Sequence, residues 1–331
     1  MYALLALGFT LVYGILELIN FAHFNVFMIG SFVGLYVLEA MGLSGQNVIL
    51  AGFPLAGVLI VAFVVVMLFS GTLGVVIERV SLRPLRNVKG PAAMITTIGV
   101  SYILFNIVLL TVGADSKNFP NPLPDIAWHF GDAVLRLREV LIWIISALLM
   151  VGLYMFVQKS RIGKAMRATA QDPEAARMMG VEVDRVIMTA FFLGSALAGA
   201  GGLVFGLYYN FTSFLIGFTA GLRAFTAAVL GGIGSVPGAM VGGLIFGLYY
   251  NFTSFIIGFT AGLRAFTAAV LGGIGNVPGA MLGGIIIGLI EAMGGQFIAT
   301  AWTDVIIFSI LVLVLVFRPS GLLGRVAPNK S

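Results

Sequence analysis

The sequence predicts an all-α polytopic integral membrane protein, a bundle of about nine to eleven membrane segments that includes two near-identical short helical hairpins. Three observations predict it. Of the 331 residues, 60% are hydrophobic and only 9% are charged, against roughly 25% charged in a soluble domain. The mean hydropathy is +1.09, and apolar runs of membrane-spanning length recur along almost the whole chain. Finally, a 41-residue block occurs twice: 206–246 and 247–287 match at 36 positions and differ at Leu215/Ile256, Ser235/Asn276, Val241/Leu282, Leu244/Ile285 and Phe246/Ile287. No polar stretch is long enough for a separate soluble domain, so 1–331 is one transmembrane domain.

In chain order the spans fall at 1–19, 26–44, 48–70, 91–113, 139–158 and 187–209. Hairpins follow at about 217–252 and 258–294, then a last span at 303–317. The first run lacks a charged n-region and a clear small-residue cleavage site, which fits a signal peptide poorly. Basic residues give the orientation. The loop 71–90 carries Arg79, Arg83, Arg86 and Lys89; the loop 159–186 carries Lys159, Arg161, Lys164, Arg167, Arg177 and Arg185; the tail carries Arg318, Arg325 and Lys330. If the spans alternate, all three segments share one side, and the positive-inside rule makes it the cytoplasm, C-terminus included. The loop 114–138 then lies outside, despite Arg136 and Arg138.

Each repeat reads as a helix through "AGLRAFTAAVL", a glycine-rich turn, and a second helix opening at Pro237 or Pro278. Proline suits a first helical turn, where its missing N–H has no partner anyway. Ser235 and Asn276, two residues earlier, are both capping types. A hairpin crosses an even number of times, so an extra copy leaves the C-terminus on its side. Gly194, Ala198 and Gly202 stand four apart, as do Gly238 and Gly242; such spacing lets helix backbones approach closely in lipid and names no substrate.

Several functions are excluded or disfavoured. The chain has no cysteine, hence no disulfide, thiolate metal site or cysteine nucleophile. The net charge of +5 reflects topology rather than nucleic-acid binding. His23 and His129 are the two histidines and lie far apart in sequence, so no metal site is expected. No phosphate-cradling G-x-x-x-x-G-K-[ST] stretch exists, and no catalytic constellation or cofactor is expected. Glu17, Asn20, His23 and Asn25 cluster where the first span ends. Asn20 and His23 belong either to a translocation pathway or to a structural turn. Glu39, Arg223, Arg264 and Glu291 are read as helix-end groups that reach headgroup water.

The most informative loop is "RATAQDPEAARMMGVEVDRV", 167–186. Asp172 suits an N-cap, Pro173 the first helical position, Glu174 the positive helix end and Gly180 a C-terminal stop. The short helix presents Ala175, Ala176, Met178 and Met179, and it either docks into a partner's groove or lies on the headgroups.

"EAARMMG" resembles the EAA loop of ABC importer permeases, in which Glu-Ala-Ala precedes three further residues and a glycine. Glu174, Ala175, Ala176 and Gly180 match it, with Met178 and Met179 between. "YALLALGFTLVYGILELINFAH" (2–23), "IERVSLRPLR" (77–86), "AFTAAVLGGIGSVPGAMVGG" (224–243) and "FSILVLVLVFRPSGLLGR" (308–325) are similar to segments of the branched-chain amino-acid ABC importer permease family. The resemblance implies an inner-membrane permease whose EAA loop is the coupling helix seated in a cleft of the ATP-binding subunit. It implies two cytoplasmic ATP-binding subunits, a second related permease and a periplasmic substrate-binding protein as partners. The cargo implied is leucine, isoleucine, valine or a related compound, and the mechanism alternating access. Three departures stand out. Family members carry further apolar residues before the Tyr-Ala-Leu segment, so Met1 is expected not to be the natural start. Phe24 stands where glycine usually follows "NFAH". And the "AFTAAVLGGIG" hairpin occurs once in the family.

The alternatives are an ABC permease for another small polar solute (urea, another amide, a sugar), an ATP-independent secondary transporter or channel, and a non-functional product of duplication. A secondary transporter is expected to use buried charges for ion coupling, and 48–70 and 91–113 contain none.

Overall fold

The computed structural model describes residues 1–16, 18–43, 53–85, 92–124, 126–130, 133–232, 234–252, 267–268, 270–271, 282–290 and 309–310. The elements are α1 (Tyr2–Leu16), α2 (Ala22–Ala40), α3 (Phe53–Ile77), α4 (Ala92–Val112), β1 (Lys117–Asn118), β2 (Ala127–Phe130), β3 (Ala133–Arg136), α5 (Leu137–Lys159), α6 (Arg161–Gln171), α7 (Pro173–Met178), α8 (Val183–Tyr209), β4 (Phe211–Thr212), α9 (Ile216–Gly231) and α10 (Val236–Phe252). A π-helical turn, Glu78–Leu82, and a 3-10 turn, Arg83–Leu85, continue α3. Among the described residues, five helical segments are long and apolar enough to cross a membrane: Ala22–Ala40, Pro54–Leu85, Ala92–Val112, Leu137–Lys159 and Val183–Tyr209. The protein is a multi-span helical membrane protein.

Helix α8 is the axis. A tract of it, Gly194 to Leu207, is buried without a break, and its small residues face three neighbours. A Cβ on Gly194 would stand 2.7 Å from the Gly8 carbonyl oxygen of α1. Gly30 of α2 meets Gly199 backbone to backbone, Gly202 lies against the Phe27 carbonyl, and Ser195 fills the space over Gly74 of α3. The predicted small-residue face is therefore real, and Gly238 and Gly242 do the same inside the hairpin by meeting Gly231 and Ala227. Helix α1 is buried along most of its length, whereas α3, α4 and α5 turn Ile60, Leu68, Leu110, Trp143 and Leu148 outward, the apolar surface that lipid covers.

The span boundaries differ in instructive ways. Helix α2 begins at Ala22 rather than 26, because His23 and Asn25 turn inward and are buried instead of breaking the helix. Helical structure continues beyond 70 to Leu85, since "GTLGVVI" remains apolar. Helix α6 was not expected at all, although Ser160 caps it by accepting from the Gly163 N–H at 2.8 Å. Two short antiparallel pairings, β1 with β4 and β2 with β3, interrupt the all-α expectation within the polar loops. The second hairpin (258–294) is described only at 267–268, 270–271 and 282–290, which are helical, and the last span only at 309–310.

The two ends of the bundle are distinct. At one, Arg83 pairs with Asp184, bringing the two basic loops together as the charge distribution required. Such a half-exposed pair is worth about 0–1 kcal/mol and serves here as a marker of proximity. At the other end, Lys117 and Asn118 pair with Thr212 and Phe211, and the Phe119 N–H donates to the Asn210 carbonyl at 2.9 Å. Asn210, at φ 57°, stops α8 in the left-handed conformation that asparagine tolerates. The same hexapeptide, Gly-Leu-Tyr-Tyr-Asn-Phe, recurs at 247–252 and stays helical to Phe252. Tertiary partners, not local sequence, end α8.

Gly199→Val, which forces a branched side chain into Ser70 and the Val66 carbonyl of α3, is expected to destabilise the bundle by about 1–3 kcal/mol or more. Gly152→Val, at a position with nothing within 4 Å, is expected to be nearly neutral. Thermal unfolding in detergent checks the pair.

Candidate functional site

The first candidate site is α7 at the basic end. The Asp172 Oδ1 accepts from the Glu174 and Ala175 N–H groups at 2.9 and 3.1 Å, with Pro173 at the first helical position. The helix ends as expected on Gly180, at φ +81°, where the Val181 N–H donates to the Ala176 carbonyl at 3.0 Å. Side chains on this six-residue helix divide sharply. Ala176 is buried in the same core cluster as Met166, Val183 and Val186, while Met178 and Met179 are 81% and 84% exposed. Glu174 is exposed and Ala175 partly so. Helix α6 supports the loop from beneath: its Arg167 donates to the Val157 and Gln158 carbonyls and so closes the end of α5. The arrangement is a rigid, capped turn of helix with two soft, adaptable side chains facing away from the body.

The second candidate, Asn20 and His23, separates into two roles. Asn20 is a turn residue: its Oδ1 accepts from the Ala22 N–H at 3.1 Å and its carbonyl from the His23 N–H at 3.3 Å. Thr97 of α4 holds the same turn, accepting from the Phe21 N–H and donating to the Ile19 carbonyl, both at 3.3 Å. His23 instead enters the bundle, 1% exposed, beside the crossing of Gly8 and Gly194; a Cβ on Gly8 would lie 2.8 Å from its Nε2. Among the described residues no hydrogen bond of normal geometry reaches either ring nitrogen. Asn25 faces another way, donating to the Ser101 carbonyl and hydroxyl, each at 2.7 Å.

Two buried groups escape sequence reasoning. Arg223 does not reach headgroup water: it is 3% exposed, donates from Nη1 to the Tyr2 hydroxyl at 2.7 Å and stacks 5.7 Å from that ring's centroid. Its position near a span end gave no sign of the face it occupies, and α9 turns that face to α1. Glu78, within "IERVSLRPLR", is fully buried where the π-helical turn begins. Glu39 is exposed at a helix end as expected, while Glu17, Arg264 and Glu291 lie outside the described residues. Phe24 is not in a turn but within α2, stacked on Phe9 with centroids 6.1 Å apart and accommodated by the bare backbone of Gly221 on α9. Among the described residues no group of three or more His, Cys, Asp or Glu side chains is placed to hold a metal ion.

The family described as "Branched-chain amino acid transport system / permease component" matches residues 1–261 and 248–315. The high-affinity branched-chain amino acid transport system permease protein LivH of Escherichia coli K12 is 38% identical over 331 residues, covering 98% of this chain and 91% of LivH. BraD of Pseudomonas aeruginosa, of the same description, is 36% identical over 329 residues, covering 98% and 92%. The probable branched-chain amino acid transport permease protein LivH of Methanocaldococcus jannaschii is 30% identical over 251 residues, 72% of each chain. No solved structure matches the chain.

Gly180→Val places a β-branched residue in a left-handed conformation, a cost of about 1–2 kcal/mol, and Asp172→Ala removes a cap worth about 1 kcal/mol. Both are expected to speed amide hydrogen exchange across 173–181 while α8 remains protected. Unchanged exchange in both variants contradicts the capped-helix description.

Proposed function

The chain belongs to the family of permease components of branched-chain amino acid transport systems, and from that premise we propose that it carries leucine, isoleucine, valine or related amino acids inward across the bacterial inner membrane. It is a membrane permease subunit and not an enzyme. ATP hydrolysis falls to two cytoplasmic ATP-binding subunits, a second related permease completes the pathway, and a periplasmic binding protein delivers the cargo. The observation that carries this reading is similarity over 98% of the chain to a permease of that description.

The basic end is the cytoplasmic one, and the C-terminus lies there too. Helix α7 is the coupling helix: Glu174, Ala175, Met178, Met179 and Gly180 present it to the ATP-binding subunit, and Ala176 anchors it. Only a few residues separate α7 from α8, and the Ala176–Val181 hydrogen bond ties their junction. When the ATP-binding subunits close, the push on α7 passes into α8, the helix against which α1, α2 and α3 pack. A shift of α8 against α1 alters the Gly8–Gly194 crossing, and His23 is the pathway residue exposed by it. Asn20 holds the turn from which α2 starts.

The second hairpin is an additional copy. Two features support this. The family's two matches overlap at 248–261, inside the second copy, and the first copy occupies the bundle core: Ala224, Phe225, Ala227, Ala228 and Ala239 are all buried there.

Glu174→Lys sets a positive charge on the positive end of α7. With the partner subunits co-expressed, it is expected to abolish leucine uptake and co-purification of the ATP-binding subunits while the protein still inserts. Normal uptake with normal co-purification sinks the coupling role. Removal of 247–287 joins Phe246 to Gly288 and keeps the number of crossings even; that variant is expected to insert and to transport at least as well as the full chain. Transport by the full chain but not by the deletion makes the repeat part of the working architecture.

A further inference from the structure

On the reading that the second hairpin is an additional copy, two copies of one hairpin compete for one place in the bundle, and only five residues distinguish them. The first copy holds that place. Its α9 and α10 belong to the main core through Ala220, Ala224, Phe225, Ala239 and Phe246, whereas among the described residues Ala268 and Ile287 of the second copy pack with Ile290 in a separate cluster.

Four of the five distinguishing residues have little to say about this choice. Leu215, Val241 and Leu244 are 51%, 54% and 56% exposed. Ser235 is an exposed cap whose Oγ accepts from the Gly238 N–H at 3.2 Å, and asparagine caps equally well. Phe246 is different. It is 3% exposed, and its ring meets Tyr2 edge-on at 6.2 Å between centroids. Tyr2 is the residue that also receives the Arg223 hydrogen bond and lies under its guanidinium. Both helices of the first hairpin are thus fastened to one side chain of α1.

We propose that the Phe246–Tyr2 contact selects which copy is built into the bundle. Ile287 in the corresponding position fills the volume but offers no aromatic edge to Tyr2. Arg264 reproduces Arg223 in sequence, so the arginine contact is available to either copy and cannot discriminate. Among the contacts of the described residues, selection therefore rests on this aromatic pair, and exchanging one residue in each copy is sufficient to reverse it. This inference concerns seating and holds for any cargo.

The test reads seating in the full chain, which has no native cysteine. Gly14 lies beside Gly234, and a Cβ on Gly234 would stand 3.7 Å from the Gly14 Cα, within reach of a disulfide. Gly14→Cys with Gly234→Cys is expected to cross-link several-fold more, on oxidation of membranes, than Gly14→Cys with Gly275→Cys, its second-copy counterpart. Adding Phe246→Ile together with Ile287→Phe should invert the ratio. An unchanged ratio after the exchange overturns the proposal. A second measurement is independent of cross-linking. Removing 247–287 or removing 206–246 yields two chains of equal length that differ only at the five positions. The first should unfold about 2–4 °C higher on heating, and Ile287→Phe in the second should recover most of the gap. Equal midpoints, or a gap that Ile287→Phe leaves open, overturn the proposal without bearing on transport.

Discussion

Close backbone contact along α8 is the constraint on which the rest of the structure depends. Lipid tails are as apolar as leucine, so burial of apolar side chains does little to bring helices together within the membrane; dense packing and interhelical hydrogen bonds must do it. Gly194 against Gly8, Gly199 against Gly30, Gly202 against Phe27 and Gly74 against Ser195 allow α1, α2 and α3 to gather closely round one helix. Tyr2 is enclosed with Arg223 where α1 meets α9, and His23 is enclosed beside the Gly8–Gly194 crossing.

The same axis joins the two ends of the protein. Helix α7 hangs from the start of α8 at the basic end, and the end of α8 is fastened by Phe119 and the β1–β4 pairing at the other. A bundle packed this closely does not deform smoothly; it moves between discrete arrangements of its helices. That property suits the role proposed for α8, which is to receive a push at one end and change access in the middle.

Local chemistry made some features legible in the sequence. Asp172, Pro173 and Gly180 act on their immediate neighbours, so the boundaries of α7 could be read from one segment, and the family resemblance then supplied a role for it. Glycine spacing likewise exposed the packing face of α8. What stayed hidden depends on partners distant in the chain. Arg223 looks like a helix-end arginine until α9 is docked on α1, and Phe24 looks like a misfit until Gly221 is seen opposite it. Helix α6 hid because its charged residues read as loop, although the Ser160 cap was there to be noticed. The hexapeptide at 206–211 and 247–252 shows the limit plainly, since identical letters end one helix and continue another.

The central claim is that this permease moves branched-chain amino acids by work done on α7 from outside the membrane domain. The most direct measurement is uptake of labelled leucine into proteoliposomes that contain the permease with its partner subunits and binding protein, under imposed ion gradients with and without ATP. Uptake that requires ATP and the ATP-binding subunits, and that ignores proton and sodium gradients, is the predicted result. Uptake by the permease alone, driven by either gradient in the absence of ATP, would contradict it.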